Sequence, residues 1–365
     1  MKILLIETYY TGSHKQWVDS YKKFSKHKIK ILSMKGQFWK WRMHGGAITL
    51  AKEFNKMKWR PDLLLCSDML DLTTFLSLTR KKSYNIKTAI YFHENQLSYP
   101  WSPKDRDIKN KRDIHYSFIN YSSALAAEKI FFNSKFHMKS FLKDLYPFLK
   151  HFPDFNEINT IETIRKKSIV LHLGLELKKF DRYKNIKYKN PLILWNHRWE
   201  YDKNPELFFN VLNKVKKRGC KFDLVVLGEN FSKSPEIFKN AQKTFKENIV
   251  KWGYLKKFNN YAKWLWMANI LPVTSKQDFF GASIMEAIYC KTFPILPNRL
   301  SYPELIPKQY QQMIIYKNEK DLYEKIIWAI NNYPKLNLSK IKIIAKKYDW
   351  KTLAPIYDRN MSAIL

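Results

Sequence analysis

The stretch "PLILWNHRWEYDKNPELFFNVLNKVKKRG", Pro191 to Gly219, decides the fold. Its opening residues are too continuously apolar for a half-exposed strand and predict one covered on both faces. From Asn204 the apolar residues recur at helical spacing until Gly219 supplies a stop. A buried strand feeding an amphipathic helix is the β-α unit of a doubly wound sheet. Between the two stand Arg198, Glu200 and Lys203, a cluster that a helix about to bury one face does not need for packing. It predicts an anionic ligand just past the strand.

The same rhythm runs through the rest of the chain. "KILLIE", "KIKILSM", "DLLLCSD", "TAIYFHEN", "KIFFNS" and "SIVLHLGL" form one set of strand-like runs, starting at Lys2, Lys28, Asp62, Thr88, Lys129 and Ser168. "PLILWNH", "DLVVLGE", "NIVKWGYL", "NILPVTS", "FPILP" and "MIIY" form a second, starting at Pro191, Asp223, Asn248, Asn269, Phe293 and Met313. Helical patterns lie between, among them "HKQWVDSYKKF", which Ser13 is placed to cap. The lysine-rich "ELKKFDRYKNIKYKN", Glu176 to Asn190, reads as a linker. At 365 residues the chain exceeds one typical core. The expected fold is therefore α/β: two Rossmann-like, doubly wound parallel-sheet domains facing a cleft, over 1–185 and 186–345, with a closing segment 346–365. Ligands in such sheets bind beyond the carboxyl ends of the strands.

Composition narrows the function classes. No apolar run reaches the ~18 residues that span a bilayer. Glu7 interrupts the apolar start, so that segment reads as a buried first strand rather than a signal peptide. Cys66, Cys220 and Cys290 fit no metal spacing or disulfide framework, and a reducing cytoplasm is the simple inference. The net charge of +34, mostly lysine, exceeds what solubility needs. Nucleic acid leads as the partner, ahead of AT-rich codon usage alone and an anionic membrane surface.

"DFFGASIMEAIYC", Asp278 to Cys290, carries the chemistry. Gly281 stands at a strand-to-helix turn where backbone can approach a ligand, and the following N–H groups are donors for a phosphate. Glu286 lies inside the helix, suited to ribose hydroxyls, and Asp278 precedes the turn. A capped helix with a surface Glu is the bland alternative. His93 ends an apolar strand and is followed by Glu94, Asn95 and Gln96, polar groups that are costly there unless paired. Asp68, at another strand end, is placed either to accept from an acceptor hydroxyl or to cap the next helix. His14 and His44 are weaker signals, with "HGG" a flexible turn first.

An acidic residue, seven positions, then Glu, with "FG" between and "EA" closing, resembles the donor-site motif of family-4 retaining glycosyltransferases, which have the GT-B fold. That family usually has Glu where this chain has Asp278. "GSHKQW" (Gly12 to Trp17), "YFHENQLSYP" (Tyr91 to Pro100), "WNHRWEYDKNP" and "PNRLSYPE" (Pro297 to Glu304) together resemble the tRNA-queuosine α-mannosyltransferase family. The resemblance implies transfer of mannose from GDP-mannose to the cyclopentene-diol of queuosine in a tRNA anticodon, with retention and without a metal or other cofactor. It implies a catalytic set of His93, Asp278, Arg198 and Lys203, the last two on the diphosphate. Donor binding falls to Gly12, Arg198, Lys203, Gly228, Phe280, Gly281, Ala282 and Glu286. The acceptor side takes Ser13, His14, Trp39, Trp41, Arg42, Asp68, Glu94 and Asn95. The tail "YDWKTLAPIYDRNMSAIL" resembles the last GT-B helix, which crosses back to the N-terminal, acceptor-binding domain.

For the RNA, "FWKWRMHGG" (Phe38 to Gly46) and "YPWSPKDRDIKNKRDIHY" (Tyr99 to Tyr116) interleave cations with aromatics. Cations meet phosphates and aromatics stack on splayed bases; core tryptophans and a solvated loop are the alternative. Two other functions stand beside the first: the same donor chemistry with another sugar or on a lipid or polysaccharide acceptor, and a non-catalytic tRNA-binding protein. No stable membrane association is expected, and the oligomeric state is not legible.

Overall fold

The computed structural model describes residues 1–101, 115–229 and 235–365. It divides into two compact units, Met1–Leu175 with Trp350–Leu365, and Glu176–Asp349.

In the first unit the strands are β1 (Lys2–Tyr10), β2 (Lys28–Lys35), β3 (Leu63–Ser67), β4 (Lys87–Phe92), β5 (Lys129–Phe132) and β6 (Ser168–Val170). They form one parallel sheet in the order β2-β1-β3-β4-β5-β6. Every residue of β3 is buried, as its unbroken "LLLCS" dictates for a strand covered on both faces. On one side Leu4, Ile6, Leu64, Cys66, Ile90, Phe92 and Ile130 pack with Phe54, Phe75 and Phe141 from the helices. The order reverses between β1 and β3, so chain leaves the sheet in opposite directions there and opens a crevice at their carboxyl ends.

The second unit contains β7 (Leu192–Asn196), β8 (Asp223–Leu227), β9 (Ile249–Trp252), β10 (Ile270–Pro272), β11 (Phe293–Pro297) and β12 (Ile315–Tyr316). Their order, β12-β11-β10-β7-β8-β9, is the Rossmann order, again all parallel. Here the reversal falls between β7 and β10. Residues 313 and 314 of the expected last strand instead end the helix Lys308–Ile314.

Three sequence expectations change. The unit boundary falls between Leu175 and Glu176 rather than after 185. The supposed linker is ordered: Leu177–Tyr183 forms a 3-10 helix whose Phe180 packs edge-on against Phe258, while Asp181 accepts from the Tyr289 hydroxyl at 2.7 Å. And "HGG" is not a turn, since His44, Gly45 and Gly46 lie within the helix Trp39–Lys56. A Cβ on Gly46 would sit 2.6 Å from the Thr8 side chain, so the glycine lets this helix press onto β1.

The C-terminal helix Trp350–Ser362 belongs to the first unit. Asp358 holds it there, accepting from the Tyr21 hydroxyl at 3.0 Å, Ser25 Oγ at 2.6 Å and the Lys26 N–H at 2.8 Å. Among the described residues no helix is long and apolar enough to cross a membrane.

Candidate active site

The first unit gathers polar residues at its switch point. Glu7, near the end of β1, is fully buried, a placement that is costly for a carboxylate unless it is paired. Its Oε1 accepts from the Tyr9 N–H at 2.8 Å and from Ser67 Oγ at 2.9 Å, and its Oε2 lies 2.9 Å from His14 Nδ1. His14 sits in the first turn of the helix Gly12–Phe24. Burial alone would lower its pKa, but Glu7, with Asp68 and Glu94 beyond, overrides this and lifts it to about 9. His14 is thus an imidazolium at neutral pH.

His93, immediately past β4, lies with its ring 4.2 Å from that of His14, tilted by 37°. Burial, then the charge of His14 and the neighbouring His137, holds its pKa well below the ordinary value, so it is neutral. Its Nε2 is buried without a hydrogen-bond partner. Its backbone is clamped on both sides: the N–H donates to Asp68 Oδ1 at 2.7 Å and the carbonyl accepts from Asn133 Nδ2 at 2.9 Å.

Asp68 does not cap the next helix. The next helix, Leu72–Ser83, is capped by Asp71, which accepts from the Thr74 N–H at 2.9 Å. Asp68 instead fixes the His93 backbone, and burial, reinforced by Glu94 and Glu7 against His14 and that N–H, pushes its pKa up to about 8. Asn95 also turns inward, its Oδ1 accepting from Leu97 N–H at 3.1 Å and Ser98 N–H at 2.8 Å, so "HENQLSYP" is a self-bonded turn that presents His93. Glu94 is half-buried beside it. Ser13 is no cap: the helix begins at Gly12, after Thr11, and Ser13 is exposed in its first turn. Gly12 has φ +51°, and a Cβ there would touch nothing within 4 Å, leaving the loop open to a ligand.

Glu7, His14 and His93 are the only grouping among the described residues with ligating atoms close enough for an ion, within 4.8 Å of one another. Glu7 and His14 are engaged with each other, however.

The aromatic segment splits. Trp39 packs on Tyr116, 5.2 Å between ring centroids, beside the small cluster of Met43, Met69 and Ile119. It is partly buried there. Trp41 is 61% exposed, its indole lying across Gly45, where a Cβ would come within 2.5 Å of the ring. Arg42 Nε donates to the Lys35 carbonyl at 3.0 Å. Of the second basic segment, residues 102–114 lie outside the described residues.

The second unit builds its site at its own switch point. After β7 the chain passes buried His197 and half-exposed Arg198, whose Nη2 lies 3.2 Å from Glu200 Oε2. Lys203 is nearly buried; its Nζ lies 3.1 Å from Asp202 Oδ2 and 3.9 Å from Asp278 Oδ2, and donates to the Gln277 carbonyl at 2.8 Å. Burial first, then the cations Lys203 and Arg198, lowers the His197 pKa to about 3. Two fixed positive charges thus surround a neutral ring at the end of β7.

Beyond β10, Asp278 accepts from the Tyr302 hydroxyl and the Phe280 N–H, both at 3.2 Å. Arg299 anchors the same loop, donating to the carbonyls of Ser275 at 2.9 Å and Thr274 at 2.8 Å. "PNRLSYPE" is therefore scaffolding for the loop that carries Asp278. Gly281, φ +87°, opens the helix Ala282–Tyr289. Asn196 Nδ2 ties β7 to that helix through the Ser283 carbonyl at 2.8 Å. Glu286, half-buried on it, accepts from the Tyr261 hydroxyl at 2.9 Å; burial raises its pKa against the pull of Lys179 and Tyr261.

Two residues expected at the donor also have packing roles. The ring of Phe280 is buried, edge-on to Tyr348 at 5.1 Å. Gly228 has φ +138°, and a Cβ there would lie 1.9 Å from the His197 carbonyl oxygen, so glycine is required for β8 to end beside β7. Tyr261, Tyr302, Asn196 and Glu7 were not singled out in the sequence. Their roles show only in their hydrogen-bond partners: Glu286 for Tyr261, Asp278 for Tyr302, the Ser283 carbonyl for Asn196 and His14 for Glu7.

Residues 2–175 match the family model described as tRNA-queuosine alpha-mannosyltransferase N-terminal, and residues 178–347 the model of glycosyl transferases group 1. A Drosophila melanogaster protein named tRNA-queuosine alpha-mannosyltransferase is 34% identical over 318 residues, 84% of this chain and 82% of that one. Among solved structures, a sucrose-phosphate synthase from Thermosynechococcus elongatus superposes with a TM-score of 0.72 at 12% identity, over the whole of both chains. The Anabaena protein HepE in complex with UDP does so with a TM-score of 0.66 at 13% identity, also over both whole chains. These two likenesses show the GT-B fold.

Proposed function

We propose a function from one premise: the chain belongs to the tRNA-queuosine alpha-mannosyltransferase family and is a glycosyltransferase. On this reading it transfers mannose from GDP-mannose to the cyclopentene-diol of queuosine in tRNA, with retention at the anomeric carbon.

The observation that carries the donor half is the switch point of the second unit. There the fixed charges of Arg198 and Lys203 border the amino end of the helix that Gly281 opens and Asn196 ties to β7. Cations held before the reaction stabilise charge on a departing diphosphate without reorganisation, the task a metal performs in other transferases. Glu286 has one oxygen held by Tyr261, which supports ribose binding by the other. Asp278, shorter than the family's usual Glu, is steadied by Tyr302 for the sugar. In the first unit the unpartnered Nε2 of neutral His93 suits a sugar or diol hydroxyl, and His14 stands beside it at the open Gly12 loop. On this reading, as the family relationship implies, the departing phosphate oxygen helps to take the acceptor proton.

The test is mass spectrometry of nucleosides from queuosine-containing tRNA incubated with the protein and each of several nucleotide sugars. A hexose added to queuosine only with GDP-mannose is expected. Transfer from another donor, or only to lipid from a membrane extract, overturns the specificity proposed.

A further inference from the structure

Neither the family relationship nor the donor-site motif assigns a role to Glu7. It is a fully buried carboxylate on β1, with one oxygen anchored to the sheet and the other facing His14. Oε1 is anchored by the Tyr9 N–H and by Ser67 Oγ from the neighbouring strand, which leaves Oε2 rigidly placed 2.9 Å from His14 Nδ1. With Nδ1 engaged, His14 turns its other nitrogen away from Glu7, and no hydrogen bond to that Nε2 exists among the described residues. The neighbouring His93 likewise has an Nε2 without a partner, and is more than nine-tenths buried. The two imidazoles, 4.2 Å apart between ring centroids, thus sit side by side near the carboxyl ends of β1 and β4, each with an Nε2 not engaged by another described side chain.

We propose that Glu7 is a positioning residue for the transfer, acting through His14: it fixes the ring so that His14 Nε2–H donates to one hydroxyl of a vicinal diol while His93 Nε2 bonds the other. The pair divides its labour because its members differ in charge. His14 is faced by Glu7, Asp68 and Glu94, with the Tyr9 ring edge-on at 6.0 Å; His93 is faced by His14 and His137. The charged ring is an obligate donor, and the neutral one accepts or donates according to its tautomer. A diol held at both oxygens has its ring plane fixed, which positions one hydroxyl for attack.

The inference rests on the proposed diol acceptor, and the test separates the two. The His14 ring is titrated by imidazole NMR in the wild type and in Glu7→Gln, a measurement that needs no substrate. Without the Glu7 charge and hydrogen bond, burial is opposed only by Asp68 and Glu94, and the titration is expected to fall from about 9. Transfer to queuosine tRNA is then followed against pH. The alkaline limb of kcat/KM is expected to move down with the NMR midpoint, and at pH 8 Glu7→Gln is expected to lose about tenfold or more in kcat/KM for tRNA while the KM for the sugar donor is unchanged. His14→Gln, which keeps one neutral donor, is expected to remove that part of the alkaline limb that follows the His14 midpoint. A shifted NMR midpoint with an unmoved pH–rate profile overturns the inference while leaving the proposed function intact; no transfer to queuosine tRNA by the wild type overturns the function itself. Should Glu7→Gln not fold, the His14→Gln profile decides alone: a limb that persists at the His14 midpoint refutes the role.

Discussion

At the scale of single residues, the two switch points are built on opposite electrostatic terms. In the first unit a buried carboxylate keeps a proton on His14, and burial strips it from His93 a ring's width away. In the second, burial and then the cations keep His197 neutral, and Arg198 and Lys203 are balanced by Glu200, Asp202 and Asp278. A diphosphate brings its own negative charge and competes with those carboxylates for the cations. Truncating Arg198 removes charge stabilisation from the transition state, so Arg198→Ala is expected to lower kcat by about 10²-fold or more. Glu286→Ala is expected to abolish transfer as well, while a gel-shift assay shows unchanged tRNA binding in both variants. Tyr261→Phe leaves the Glu286 carboxylate but frees it to rotate; a rise in donor KM of about tenfold with little change in kcat is the expected outcome. Full activity in Arg198→Ala or Glu286→Ala removes those residues from the site.

At the scale of elements, the strands were legible because a parallel sheet covered on both faces writes itself as unbroken apolar runs. β3, β7 and β11 are buried at every position and were plain in the sequence. Chemistry at their ends was legible where it broke that pattern: Arg198, Lys203 and His93 are out of place after an apolar strand. Residues whose meaning depends on a distant partner were not. Asp68 acts through the His93 backbone 25 positions away, Tyr261 through Glu286 25 positions on, and Arg299 through carbonyls 25 and 24 positions back. Asp358 belongs to the same class. It reaches Tyr21, Ser25 and Lys26 from the far end of the chain, and nothing in "APIYDRN" foretells three donors. Because Asp358→Ala leaves those donors buried or half-buried without their acceptor, a loss of about 2–4 kcal/mol in unfolding free energy is expected. Urea denaturation measures it; a midpoint unchanged from wild type means the helix is held by its apolar face alone, through Trp350, Leu353 and Tyr357.

At the scale of the whole molecule, the excess of 66 basic over 32 acidic side chains must act on some polyanion or on none. Codon usage alone predicts a charge without a consequence, whereas a tRNA partner predicts binding that collapses with salt as condensed counterions are released. The affinity for tRNA is expected to fall by about two to three orders of magnitude between 50 mM and 200 mM salt, the behaviour of a protein that contacts several phosphates. Stacking is the component that salt does not remove. Trp41 is 61% exposed and seated flat over Gly45, so its indole face needs little rearrangement to receive a base. Trp41→Ala is therefore expected to weaken tRNA binding by about 1–3 kcal/mol at every salt concentration, without changing the salt slope or the donor KM. Vesicles of anionic lipid serve as the competing polyanion. Binding to them that matches tRNA in strength, or a salt slope near zero with tRNA, assigns the charge elsewhere and leaves the exposed tryptophan without a nucleic-acid role.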